Sequence, residues 1–215
     1  MKNLVFLGPP GSGKGTQADI LAKKFGYKKI STGDLIRDEI RSSSVVGVEA
    51  AGFVSSGLLV PDTIIISLFK KKIVDEKKGF IADGFPRTLS QAEALTRLLS
   101  ETHCTGTLLV FYFYLPLDVL LGRVLHRRIC DECNKIYNIL TLPTKNLELC
   151  QDCGKTLRLR EDDSEEVVKK RFSVYQKETE VLLEYYKKSL IRIEAGRSVE
   201  QVTQDILTFG DITRV

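Results

Sequence analysis

Short apolar runs alternate along this chain with longer stretches in which apolar residues recur every three or four positions. The first run, Leu4–Leu7, is ended by glycine and predicts a buried strand. A helix is predicted behind it from about Lys14 to Phe25, with Ala18, Leu21, Ala22 and Phe25 on its inner face. Tyr27–Ile30 reads as a second short strand. Two short helices should follow, Asp34–Arg41 and Val46–Ser56, separated by three serines and closed by Gly57. Asp62 follows Pro61 and is expected to cap a helix through Val74, where Ile65, Ile66, Phe69 and Ile73 recur at helical spacing. Phe80–Ala82 is a third strand, and Ser90 with Glu93 reads as a capping box for the next helix. Leu108–Tyr114 is the clearest strand, continuous and rich in aromatics. Asp163 with Glu166 is expected to cap a long helix to about Lys188, Leu190–Ile193 is the last strand, and Ser198 with Gln201 caps a final helix. Strands alternating with helices predict an α/β fold, a five-stranded parallel sheet with helices on both faces.

Composition narrows the function classes. The chain has 215 residues, 43% hydrophobic and 28% charged, enough for one sizeable core with small insertions. Its 32 basic and 28 acidic residues leave a net charge of +4, too mild an excess to argue for a nucleic-acid partner. Met1–Leu7 holds too short an apolar run for a signal-peptide core, and Leu108–Leu117 is broken by a proline and too short to span a bilayer. A cytoplasmic monomer without a membrane partner is expected.

Chemistry concentrates first in Gly8–Thr16, "GPPGSGKGT". Gly8, Gly13 and Lys14, placed after a strand and before a helix, fit a phosphate-binding loop. Glycines let successive backbone N–H groups turn inward, the lysine adds a cation, and the helix N-terminus adds its dipole. The general pattern has a hydroxyl residue straight after the lysine, but here Gly15 intervenes and Thr16 comes one later.

A second concentration lies between Cys130 and Cys153, where helical periodicity is lost. Cys130-x-x-Cys133 and Cys150-x-x-Cys153 have the spacing of a four-cysteine zinc site. Asn134 and Gly154 each follow the second cysteine of a pair, and both tolerate the positive φ that a metal knuckle needs. Four protein ligands leave no open position, so such a Zn²⁺ would be structural. Cys104, His103 and His126 lie outside this spacing.

The loop variant "GPPGSGKGTQ" resembles the nucleoside monophosphate kinases. Ile30–Arg37 (ISTGDLIR), Gly57–Asp62 (GLLVPD), Asp83–Glu93 (DGFPRTLSQAE), Gly122–Arg128 (GRVLHRR) and Arg160–Arg171 (REDDSEEVVKKR) extend the likeness. Over nearly its whole length the chain is similar to the adenylate kinases. The resemblance implies the reaction ATP + AMP ⇌ 2 ADP, with Mg²⁺ accompanying ATP. It implies a P-loop core of residues 1–30, 61–126 and 163–215. To this core are added a helical AMP-binding insertion (31–60) and a zinc-bound lid (127–162).

The implied catalytic set is Lys14, Asp83, Arg87, Arg123, Arg127, Arg160 and Arg171. Gly11, Ser12, Gly13, Lys14, Gly15 and Thr16 would hold the ATP phosphates, with Arg123 and Arg127 closing over them. Ile136, Tyr137 and Arg197 would flank the donor base. Thr32, Arg37 and Arg87 would hold AMP, and Gln91 would read its adenine edge. Leu58, Leu59 and Val60, with Gly84, Phe85 and Pro86, would line that site. Arg160 and Arg171 would bridge to the transferring phosphoryl, and Asp83 would orient water on Mg²⁺. Pyrimidine-specific relatives carry a smaller residue where Thr32 stands and Asn where Thr88 stands, so AMP is the implied acceptor. The donor remains ATP or GTP, since Asn138 stands where relatives often have His.

A P-loop protein whose zinc ribbon binds nucleic acid is the alternative from another class. Residues 130–153 hold two lysines, no arginine and four acidic residues, which leaves no basic stripe for a phosphate backbone.

Overall fold

The computed structural model describes residues 2–74, 76, 78–102, 106–130, 132–140 and 148–212. His103 and Cys104 lie outside the described residues. Five parallel strands form the central sheet: β1 (Lys2–Leu7), β2 (Lys28–Ser31), β3 (Phe80–Asp83), β4 (Thr107–Tyr114) and β8 (Leu190–Glu194), in the order β2-β3-β1-β4-β8. The strand β1, buried over Asn3–Leu7, sits at the centre, and the loop after it opens at the middle of the sheet's C-terminal edge. That edge is where open parallel sheets bind ligands.

Both faces of the sheet are buried, because successive side chains alternate sides and each side meets helices. One layer packs Val5, Leu7, Phe69, Phe80, Phe85 and Leu95 with α4 (Asp62–Ile73) and α5 (Leu89–Glu101). The other packs Leu4, Phe6, Phe111 and Phe113 with α1 (Lys14–Phe25) and α9 (Val199–Phe209). Phe6 meets Phe111 edge-on at 5.8 Å, and Phe69 stacks on Phe85 at 4.2 Å. Such aromatic pairs add to the burial term.

Two helices, α2 (Thr32–Arg41) and α3 (Val45–Ser55), form the insertion after β2. A second sheet, β6-β5-β7, is antiparallel and small: β5 (Arg127–Cys130), β6 (Ile136–Asn138) and β7 (Leu157–Arg158). Its only buried cluster among the described residues is Cys130, Tyr137, Cys150 and Leu157.

Three helix caps differ from the sequence expectation, each for a hydrogen-bonding reason. α5 begins two residues early, because Thr88 and not Ser90 is its cap, the Thr88 hydroxyl accepting the Gln91 N–H. Ser164, not Asp163, caps α7 (Glu165–Val174), since the Asp163 carboxylate is taken by Arg127. Asp62 is the first residue of α4 rather than its cap, and its carboxylate reaches across to Thr88 and Gln91. The long helix expected to Lys188 is interrupted by a π turn at Tyr175–Thr179 before α8 (Val181–Tyr185). One helix had no counterpart in the sequence reading, α6 (Leu117–Leu125). The Ser198–Gln201 capping box is present as expected. Among the described residues, no helix is long and apolar enough to cross a membrane.

Candidate active site

The loop between β1 and α1 is shaped by backbone conformations that other residues avoid. Gly11 has φ +82°, and a Cβ there would lie 2.5 Å from Val124 Cγ2. Lys14 folds back over the loop, donating from Nζ to Gly8 O at 2.7 Å, Pro9 O at 2.8 Å and Ser12 Oγ at 3.2 Å. Burial is the main reason its pKa falls from 10.5 to about 7; Asp83 opposes the fall, while Arg87, Arg171 and Arg127 add to it. The departure at Gly15 has a physical reason in this chain. A Cβ there would stand 3.2 Å from Asp83 Oδ2, so a serine would crowd the carboxylate that ends β3. On the far side, Gln17 donates to Val199 O at 2.9 Å and accepts from the Thr203 hydroxyl at 2.8 Å, which fixes α1 against α9.

A second group of side chains gathers around the turn after β3. The Gly84 carbonyl accepts from Thr32 Oγ1 at 2.8 Å and from Arg87 Nε at 2.9 Å. The Arg87 carbonyl accepts from Thr179 Oγ1 at 2.9 Å, so the π turn braces the same segment. Single π turns are frequent at functional sites. Gln91 is 1% exposed and accepts from the Arg87 backbone N–H at 2.8 Å.

Between these groups lies a set of arginines, most of them matched by carboxylates. Arg127 makes a two-pronged pair with Asp163, Arg160 makes one with Asp162, and Arg171 donates to Asp162 at 3.0 Å. Arg37 pairs with Asp34. Burial pushes the Asp162 carboxyl up, but Arg160 and Arg171 outweigh it and hold the group well below the usual carboxylate range. Burial and the neighbouring arginines bring Arg171 down to about 10, against the pull of Asp162. Asp162 and Asp163 were not singled out as site residues from the sequence. Their signal was two acids embedded among arginines in "REDDSEEVVKKR".

One cavity of about 1130 Å³ connects all of this. Gly11–Thr16, Asp83, Arg123, Arg127, Ile136, Tyr137 and Arg197 line it, as do Thr32, Arg37, Leu58–Val60, Gly84, Pro86, Arg87, Gln91, Arg160 and Arg171. Phe85 is the exception among the expected site residues. It is fully buried against Phe69, in the core behind the cavity wall.

In the small sheet the four cysteines converge. Their Sγ atoms lie within 4.8 Å of one another. Cys130 and Cys153 are 3.4 Å apart, Cys133 and Cys150 are 3.6 Å apart, and Cys133 and Cys153 are 3.8 Å apart. A tetrahedron of sulfurs about 2.3 Å from a metal has edges of about 3.8 Å, whereas a disulfide needs about 2.05 Å. The spacing thus suits a shared zinc and not two disulfides. Asn134 and Gly154 take φ values of 57° and 70°, the knuckle conformation expected of them.

A parallel sheet with a phosphate loop at its centre, opposed across one cavity by a second polar site, defines a P-loop phosphotransferase of the nucleotide kinase type. The sequence profile of the adenylate kinase family matches residues 6–191. Adenylate kinase of Fervidobacterium nodosum is 42% identical over 206 residues, covering 93% of both chains. That of Thermosipho melanesiensis is 44% identical over 211 residues, covering 95% of this chain and 97% of the relative. That of Archaeoglobus fulgidus is 40% identical over 208 residues, covering 95% of each. The chain belongs to the adenylate kinase family.

Proposed function

We propose that this chain catalyses reversible, Mg²⁺-dependent transfer of the γ-phosphoryl group of ATP to AMP, yielding two ADP, and so balances the adenine nucleotide pool. One observation carries the proposal. A single cavity of about 1130 Å³ is lined by the phosphate loop, by the Gln91 amide, by the buried Arg160 and by the half-buried Arg171. Sites for one small molecule usually enclose about 300–1,000 Å³, and this one lies just above that range, in keeping with two nucleotides. In this reading the chain acts as a monomer in the cytoplasm.

Gly11–Thr16 hold the donor's phosphates through backbone N–H groups, and Lys14 leaves the loop carbonyls to meet the β- and γ-oxygens. Arg123 and Arg127 close over the donor. Thr32, Arg37 and Arg87 hold the acceptor's phosphate, and Gln91 reads its base. Arg160 and Arg171 face the transferring group, where guanidinium forks stabilise charge spread over phosphoryl oxygens. Their carboxylate partners, Asp162 and Asp163, hold these forks in place before phosphates compete for them. Mg²⁺, when bound with ATP, supplies charge neutralisation on the phosphates. Asp83 is the hard oxygen ligand beside the loop suited to orient its waters.

Residues 31–60 form the acceptor-binding insertion and residues 127–162 the lid, on a core of 1–30, 61–126 and 163–215. Structural Zn²⁺ on Cys130, Cys133, Cys150 and Cys153 holds the lid together. Lid closure excludes water, which favours transfer over hydrolysis. The test is a coupled assay over a panel of donors and acceptors. ATP with AMP should give the highest kcat/KM; a preference for GTP would move the assignment to a GTP:AMP phosphotransferase.

A further inference from the structure

We infer that Asp62 sets acceptor specificity by locking the Gln91 amide in the one orientation that complements adenine. The inference rests on the proposed reading of Gln91 as the base-recognising residue. Gln91 Oε1 accepts from the Arg87 backbone N–H at 2.8 Å, and Nε2 donates to Asp62 Oδ1 at 2.6 Å. A backbone N–H can only donate and an ionised carboxylate can only accept, so these partners dictate which amide atom is which. Turning the amide over would set Nε2 against an N–H and Oε1 against a carboxylate. Two hydrogen bonds would become two repulsions inside a nearly dry site.

Asp62 is itself held. Its Oδ2 accepts from the Thr88 hydroxyl at 2.7 Å, and the same hydroxyl oxygen accepts the Gln91 N–H at 3.2 Å as the cap of α5. The hydroxyl proton is therefore committed to Asp62. In its own helix the carboxylate has no capping duty, since α4 starts after Pro61 without a side-chain cap. It lies instead between the first turns of α4 and α5, where both helix dipoles favour a negative charge. Asp62 sits behind Gln91, which lines the cavity, and acts through it.

Each amide atom of Gln91 keeps one further site, a second N–H and a second lone pair. Side by side these match adenine, whose N6–H donates and whose N1 accepts. A 6-oxopurine reverses both positions: O6 accepts and N1–H donates. It needs the overturned amide, which Asp62 forbids. Asn at position 62 can present either an oxygen or an NH₂ group, so one of the two repulsions against the overturned amide is removed without a change of shape and only the Arg87 N–H still opposes it.

The experiment compares kcat/KM for AMP and IMP, with ATP as donor, in wild type, Asp62→Asn, Thr88→Ser and Gln91→Ala. Asp62→Asn should lower the AMP:IMP ratio about tenfold, chiefly through the two acceptor KM values, with KM for ATP unmoved. Thr88→Ser keeps the hydroxyl and should stay within about twofold of wild type. An Asp62→Asn ratio within about twofold of wild type, while Gln91→Ala lowers it, would overturn the lock and leave the base-reading role standing. A Gln91→Ala enzyme with unchanged AMP KM and ratio would overturn both. Should Asp62→Asn fail to fold by circular dichroism, Thr88→Val takes its place. Loss of the hydroxyl that orients Asp62 should lower the ratio about threefold, and no change would count against the lock.

Discussion

The central sheet and the small cysteine sheet solve the same problem of cohesion by different means. In the first, aromatic and branched side chains on both faces are sealed from water, with Phe6, Phe69, Phe80, Phe85, Phe111 and Phe113 all among the largest fully buried residues. In the second, strands of two to four residues enclose only Cys130, Tyr137, Cys150 and Leu157. At about 1.5–3 kcal/mol for each large apolar side chain, such a cluster cannot offset the entropy of ordering its own backbone. Four converging thiols supply the missing cohesion if a metal joins them. In the proposed reading the difference suits the two tasks. The phosphate loop needs a rigid platform at the end of β1, whereas a lid must stay small and separable from the core it covers.

Metal removal tests that contrast most severely. Structural zinc binding is worth about 10–16 kcal/mol in small zinc peptides, far more than the lid's own cluster. Chelation, or Cys150→Ser, should unfold the lid alone. Purified protein should carry one zinc per chain, AMP binding should survive its loss, and phosphoryl transfer should collapse while ATP hydrolysis rises. Elemental analysis, AMP titration and a hydrolysis assay read these outcomes. Loss of AMP binding together with the lid would show that the two regions fold as one unit.

Phe111→Ala makes the complementary perturbation. Removing a fully buried ring from the central sheet should cost about 3–5 kcal/mol, and denaturant unfolding should report it across the whole core. The lid's zinc content should stay the same in the folded protein. Next in size is Lys14→Ala, which removes the cation folded over the phosphate loop. Loss of about 10²–10³ in kcat is expected, with unchanged circular dichroism. Near-normal turnover in a folded variant would remove the phosphate loop from the mechanism.

The same contrast explains what could be read from the sequence. The five strands, the phosphate loop and the four cysteines were legible because each is carried by neighbours in the chain or by a fixed spacing. Helix starts were misplaced where a capping side chain had a better tertiary partner, as with Asp163 on Arg127 and Asp62 on Gln91. The π turn at Tyr175–Thr179 leaves no mark on periodicity, since the buried residues Tyr175, Thr179, Leu182 and Tyr186 still recur at intervals of three or four. Phe85 carries a site motif yet lies in the core, where its ring stacks on Phe69. Its neighbours Gly84, Pro86 and Arg87 face the cavity.

The smallest expected effect concerns protons on the platform side. Burial lowers Lys14 from 10.5 to about 7; Asp83 opposes this, and Arg87, Arg171 and Arg127 reinforce it. Between those two pH values the unfolded chain binds a proton that the folded chain lacks. Stability should therefore rise with pH across this window, with the full cost of the buried charge felt below about 7. A bound phosphate reverses the balance by favouring the ammonium form. Nucleotide binding at about pH 8 should then take up close to one proton, and affinity should weaken by at most about tenfold per pH unit above the folded pKa. Calorimetry in two buffers of different ionisation enthalpy measures the uptake directly. Lys14→Met should abolish it, while Cys150→Ser should not, since the lysine belongs to the core and not to the lid. Equal binding enthalpies in both buffers for the wild-type protein would mean that Lys14 is already charged on its platform.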